Sequence, residues 1–189
     1  MKKIIWLILL IISSLATLEA APRRGRDPFE KPQIGLWFGP VTPVYTTAEN
    51  LETYFGGGLF VRTNSFVKNV KIGLDGSYQQ YRSRGINEMN LRPVYGNLLW
   101  RLPIHFPLAF QLKAGAGAAR VEIKPDRYHQ WDPVFMTGVE TSFPAGKIVN
   151  IGLRIDYLLI YEKYIPGARR NGHVVNAGLT LFFNLGGRR

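Results

Sequence analysis

The stretch Val149-Asn150-Ile151-Gly152-Leu153-Arg154-Ile155-Asp156-Tyr157-Leu158-Leu159-Ile160-Tyr161 sets the reading of this chain. Its odd positions are all aliphatic or aromatic. Its even positions begin with asparagine, glycine, arginine and aspartate. A β-strand sends alternate side chains to opposite faces, so the spacing predicts one apolar and one polar face. Ordinary strands average about 5–6 residues. A tilted strand that crosses a bilayer needs about 9–11. This segment is long enough for the second.

The same period recurs on both sides. Val175, Ala177, Leu179, Leu181, Phe183 and Leu185 alternate with Asn176, Gly178, Thr180 and Asn184; Val70, Ile72 and Leu74 alternate with Lys71, Gly73 and Asp75. Leu108, Phe110, Leu112, Ala114 and Ala116 alternate with Gln111, Lys113, Gly115 and Gly117. Eight segments are predicted as strands: Gln33–Val44, Thr53–Thr63, Val70–Arg82, Met89–Leu102, Leu108–Ile123, Trp131–Phe143, Val149–Glu162 and Gly172–Leu185. Connectors Tyr45–Glu52, Ser83–Glu88, Lys124–Gln130 and Lys163–Asn171 are polar and read as loops, whereas Asn64–Asn69, Pro103–Pro107 and Pro144–Ile148 read as tighter turns. Alternating long and short connectors fit an outer-membrane barrel with both termini in the periplasm.

Composition narrows the class. The 189 residues carry a formal net charge of +11, are 46% hydrophobic and contain no cysteine, which excludes a disulfide scaffold and a thiolate metal site. Met1–Ala21 reads as a signal peptide: Lys2 and Lys3, the apolar run Ile4–Ile12, then Glu19-Ala20-Ala21 as a small-residue cleavage site. Beyond it the 3.6-residue period is missing. The expected organisation is signal peptide 1–21, a basic and proline-containing segment 22–32, a β-barrel 33–185 and a basic tail 186–189. The excess charge is read as solvated tails. In an exported chain nucleic acid is not expected as a partner.

With no further helix to cross hydrocarbon, the strands must close on themselves to pair every backbone group. The expected fold is therefore all-β, an eight-stranded antiparallel up-and-down transmembrane barrel. Its aliphatic face meets lipid and its polar face lines the lumen. Lumen charges are assigned to Arg62, Lys71, Asp75, Arg92, Lys113, Glu140, Arg154 and Asp156, with Gly35, Gly39, Gly73, Gly96, Gly115, Gly117, Gly138, Gly152 and Gly178 beside them. The expectation is a paired plug rather than a conducting network, since eight strands leave an interior that side chains just fill. Aromatics near strand ends, among them Trp37, Phe38, Tyr54, Phe55, Tyr78, Tyr81, Trp100, Phe106, Trp131, Phe135, Tyr164, Phe182 and Phe183, are expected to form interfacial girdles.

On these features, and on the closing strand Val174–Leu185, the mature chain resembles the small eight-stranded outer-membrane barrels of the OmpX, OmpA, OmpW and opacity-protein group. The closing strand looks like the signal read by the barrel-assembly machinery. The family usually finishes on an aromatic residue, whereas this chain continues with Leu185, Gly186, Gly187, Arg188 and Arg189. The resemblance implies an outer-membrane location, contact with the bilayer and lipopolysaccharide-type lipid, a monomer, and functions that range from adhesion to narrow channels.

Barrels of this size can carry lipid-modifying activity through a His-x-Ser arrangement. Here the residues two after His105, His129 and His173 are Pro107, Trp131 and Val175. His129 with Glu122, Asp126 or Asp132 is a candidate base–carboxylate pair, and His129 with His173 a weak metal pair; both are read as solvated loop histidines. Gly56-Gly57-Gly58 lacks the Lys-Ser/Thr of a phosphate loop and reads as a strand bend. No catalytic residue, metal or cofactor is expected. Arg82, Arg84, Lys124, Arg127, Lys163, Arg169 and Arg170, in or beside the loops, are candidate contacts for lipid phosphates or host and surface polysaccharides. Four readings follow: a non-enzymatic barrel with an interaction face, a narrow channel for ions or small apolar solutes, a lipid-modifying enzyme, and a soluble periplasmic lipid binder.

Overall fold

The computed structural model describes residues 31–83, 88–104, 108–124, 128–146, 148–161 and 171–185. The expected leader, nearly all of the 22–32 segment and the 186–189 tail lie outside them. Among the described residues nine strands follow in order: β1 Gln33–Pro43, β2 Leu51–Glu52, β3 Tyr54–Asn64, β4 Val70–Ser83, β5 Glu88–Arg101, β6 Ala109–Lys124, β7 Tyr128–Pro144, β8 Val149–Ile160 and β9 Gly172–Asn184. Each long strand pairs antiparallel with its sequence neighbour, and β9 pairs with β1. The result is a closed eight-stranded up-and-down barrel, with the two-residue β2 appended to β4.

Register shows how the wall is wound. Gln33 faces Arg62, and partners continue through Gly73, Asn97, Gly115, Met136, Leu158 and Val174 back to Pro43, ten residues further along β1. A stagger of that size requires strands tilted by about 40°. Each residue then gains about 2.5 Å along the barrel axis.

The outer wall is apolar, as the period predicted. Leu36, Leu59, Leu74, Val94, Leu98, Val139, Leu153, Ile155 and Leu179 are exposed there. Trp100, Phe110, Phe143 and Phe183 ring the end that carries the described termini, at or near the ends of β5, β6, β7 and β9. Burying none of these against protein makes sense only in an apolar solvent.

The connectors depart from expectation. Tyr45–Glu49 forms a short 3-10 turn, and Leu51–Glu52 adds to β4. The expected loop Lys124–Gln130 is mostly strand: β6 runs to Lys124, β7 starts at Tyr128, and Ile123 pairs with Tyr128. Cross-strand hydrogen bonding overrode the polarity that had marked it as loop. At the other end, Asn69 takes φ 62°, the left-handed region that asparagine tolerates, and closes a tight turn in which Ser65 N–H donates to Val70 O at 3.0 Å.

The lumen is not uniformly polar. Val41, Leu91, Ala119, Val134, Met136, Leu158, Ile160 and Val174 form a buried apolar cluster in the half away from the termini. Three residues expected in the girdles point inward instead: Trp37, Tyr81 and Phe182 are buried in the lumen. Strand parity explains each one. Trp37 shares a face with Gln33, and Phe182 shares one with Asn184 and Thr180. Tyr81 shares a face with Asp75 and Gln79.

Candidate functional site

The lumen nearer the termini holds a buried charge network. Arg62 donates from both terminal nitrogens to the two Glu140 oxygens at 2.7 Å each, a bidentate pair. Lys113 Nζ donates to both Asp156 oxygens at 3.0 Å and lies 3.7 Å from Asp75 and 4.0 Å from Glu140. Arg154 donates to Asp156 Oδ2 through Nε at 2.7 Å and also through Nη2, which reaches Tyr95 Oη at 3.2 Å and Asp75 at 3.4 Å. Asn97 Nδ2 donates to Asp75 Oδ2 at 2.8 Å. Three cations thus meet three carboxylates, drawn from β3, β4, β6, β7 and β8, and their formal charges cancel.

Aromatic faces complete the cage. The Arg62 guanidinium lies 3.9 Å over the Phe60 ring, and that of Arg154 lies 4.8 Å over Trp37. Planar guanidinium groups gain from such stacking where water is excluded. Lys71, lower in the lumen, donates to the Lys31 carbonyl and to Asn64 Oδ1 at 3.2 Å, tying the N-terminal entry to the first hairpin.

Seven of the eight residues assigned to the lumen are therefore buried: Arg62, Lys71, Asp75, Lys113, Glu140, Arg154 and Asp156. Arg92 is not. Its side chain is 48% exposed on the outer wall, 3.5 Å from Glu122. On β5 the inward face is Leu91, Pro93, Tyr95, Asn97 and Leu99, so Gly96 also faces outward, against expectation. Both alternating sets of β5 positions mix polar with apolar residues, Asn97 and Arg101 in one and Glu88, Asn90 and Arg92 in the other, so composition gave no phase. Tyr95, Asn97, Phe60 and Trp37 belong to the network and were missed. Their parity with Asp75, Arg62 and Gln33 across the register was the available signal.

Of the candidate loop contacts, Arg82 is exposed, with its guanidinium 4.5 Å over the Tyr54 ring. Arg84, Arg127, Lys163, Arg169 and Arg170, and the side chain of Lys124, lie outside the described residues, as do His105 and Asp126. His129 sits in β7, not in a loop, opposite Glu122. Asp132 points the other way, buried and accepting from Gln130 Nε2 at 2.7 Å, so it cannot serve His129. His173 lies in β9, its Nδ1 2.6 Å from Tyr157 Oη and its ring edge-on to Tyr45. His129 and His173 are thus on non-adjacent strands. The His173 backbone N–H donates to Thr47 Oγ1 at 2.9 Å.

The sequence matches no family model and no curated protein. Its fold is similar to solved structures. Neisserial surface protein A superposes with a TM-score of 0.61 at 9% identity, over 82% of this chain and 97% of that one. The N-terminal β-barrel domain of Pseudomonas aeruginosa OprF gives 0.54 at 16% identity, over 82% and 98%. The outer membrane protein OprG of the same organism gives 0.52 at 12%, over 82% and 97%. With its closed ring of eight tilted strands and its apolar exterior, the chain has the fold of the small eight-stranded outer-membrane β-barrels.

Proposed function

We propose that this chain is a non-enzymatic outer-membrane protein, with a structural plug in its lumen and an interaction surface at the barrel end away from the termini. It acts in surface recognition or envelope integrity. One observation carries the reading. Trp37, Tyr81, Tyr95, Phe60, Leu91, Leu99, Leu158, Phe182, Gln79, Arg154, Lys71 and Lys113, all lumenal, are the largest fully buried side chains among the described residues. An open pore would leave such groups wet. Purified, refolded protein is expected to give no discrete conductance in planar-bilayer recording; regular current steps would contradict the plug.

A narrow channel is the second reading. It draws support from buried polar atoms that lack a protein partner among the described residues, namely Trp37 Nε1, Asn97 Oδ1, Thr180 Oγ1 and both amide atoms of Asn176. Such atoms cost about 1–3 kcal/mol each unless solvated.

In this reading Met1–Ala21 is a leader, both termini are periplasmic, and the barrel is a monomer inserted by the barrel-assembly machinery. Mass spectrometry of the outer-membrane form is expected to show a chain that lacks residues 1–21. A full-length mass would contradict the leader. Arg82, Arg84, Lys124, Arg127, Lys163, Arg169 and Arg170 are the proposed polysaccharide contacts. Neutralising them together is expected to weaken binding to an acidic polysaccharide in a salt-dependent manner. Unchanged binding would remove that role.

A further inference from the structure

The misplaced Arg92 leads to a second site. Arg92 on β5 and Arg120 on β6 are direct cross-strand partners, both on the outer wall. Like charges held directly opposite each other repel. Glu122, 3.5 Å from Arg92, offsets one of them. Arg120 Nε is buried and donates to nothing among the described residues. The patch is also organised by neutral groups. The Arg92 guanidinium lies 5.4 Å from the Tyr78 ring centre, Tyr78 Oη–H donates to Asn90 Oδ1 at 3.0 Å, and Gln80 Nε2 donates to Tyr78 Oη at 3.1 Å.

Height matters next. Arg92 is eight residues along β5 from Trp100, and Arg120 is ten along β6 from Phe110, the aromatic ring at the other end. At about 2.5 Å per residue the two arginines stand about 20–25 Å above that ring. The apolar band of such barrels is about 25 Å tall, so they lie at the opposite headgroup level. Below them the wall is hollowed by small residues: Val94 faces Ala118, Gly96 faces Ala116, and Leu98 faces Ala114. A cationic pair above a shallow apolar trough suits an amphiphile with an anionic head.

Building on the outer-membrane reading, we propose that Arg92 and Arg120 hold the phosphate of a lipid headgroup, with an acyl chain lying along Gly96, Ala114, Ala116 and Ala118. The test uses native mass spectrometry of the refolded full chain with lipid A carrying both phosphates. Wild type is expected to retain it, and Arg92→Gln with Arg120→Gln to bind about ten-fold more weakly. Ala116→Phe, which fills the trough and leaves the charges alone, is expected to weaken binding as well. Dephosphorylated lipid A is expected to bind poorly, and millimolar inorganic phosphate is expected not to displace the lipid. Equal binding of the dephosphorylated lipid, unchanged binding by the double variant, or displacement by free phosphate would each overturn the site. Heat-modifiable migration of wild type in vesicles reports the barrel reading separately: its loss would sink that reading rather than this site alone.

Discussion

Asp156→Asn is expected to lower the unfolding free energy of the reconstituted barrel by about 3–5 kcal/mol. Asp156 is the carboxylate on which two buried cations converge, accepting from Lys113 and from Arg154. Removing its charge leaves three fully buried cations facing Asp75 and Glu140 alone. Asp75 lies 3.7 Å from Lys113 and 3.4 Å from Arg154, too far to replace two short charged hydrogen bonds. Urea unfolding in vesicles, read by heat-modifiable gel migration, measures the change. Arg92→Gln supplies the contrast, because an exposed pair is worth about 0–1 kcal/mol. Equal losses at the two positions would show that the lumen network is solvated and not a plug.

The other large effect concerns the seam where the barrel closes. A methyl group at Gly39 would collide with the Ala177 carbonyl oxygen and sit 2.5 Å from the Gly178 Cα, both backbone atoms of β9. Gly178 in turn lies beneath the Trp37 ring, whose carbon would be 3.2 Å from a β-carbon there. Backbone cannot yield as a flexible side chain can. Gly39→Ala is therefore expected to force β1 and β9 apart, costing at least the roughly 1–3 kcal/mol of an overpacked core. The expected readout is loss of the heat-modifiable form. Gly146→Ala, in a turn with no heavy atom within 4 Å of an added β-carbon, is expected to leave migration unchanged. Intact migration of Gly39→Ala would mean that the seam is looser than its register implies.

Most of the wall was legible in the residues, because strand polarity and strand parity agree on β4, β6, β8 and β9. Asp75, Lys113 and Arg154 sit on the face that period two assigns them. The reading failed where polarity was asked to do the work of parity. On β5, Arg92 was drawn inward by its charge although Leu91, Tyr95 and Leu99 hold that face. Trp37, Tyr81 and Phe182 were drawn outward by the preference of rings for interfaces, although each shares a face with polar lumen residues. The apolar upper lumen was invisible for a related reason. Leu158 and Ile160 continue the inward face of Arg154 and Asp156, but as aliphatics they carry no polar mark of a lumen. Pairing across strands was not legible at all. The Arg62–Glu140 bond joins residues 78 apart, and only the closed register brings them together.

Aliphatic rows face lipid on the outside of a sealed cylinder. The chain has no cysteine, so single cysteines substituted for Leu153, Ile155 and Leu159, and for Asn150, Leu158 and Ile160, can each carry a spin label in lipid vesicles. Collision with oxygen, which concentrates in hydrocarbon, is expected to be high at the three odd positions and low at the three even ones. The reverse phase, or no alternation along β8, would contradict the account.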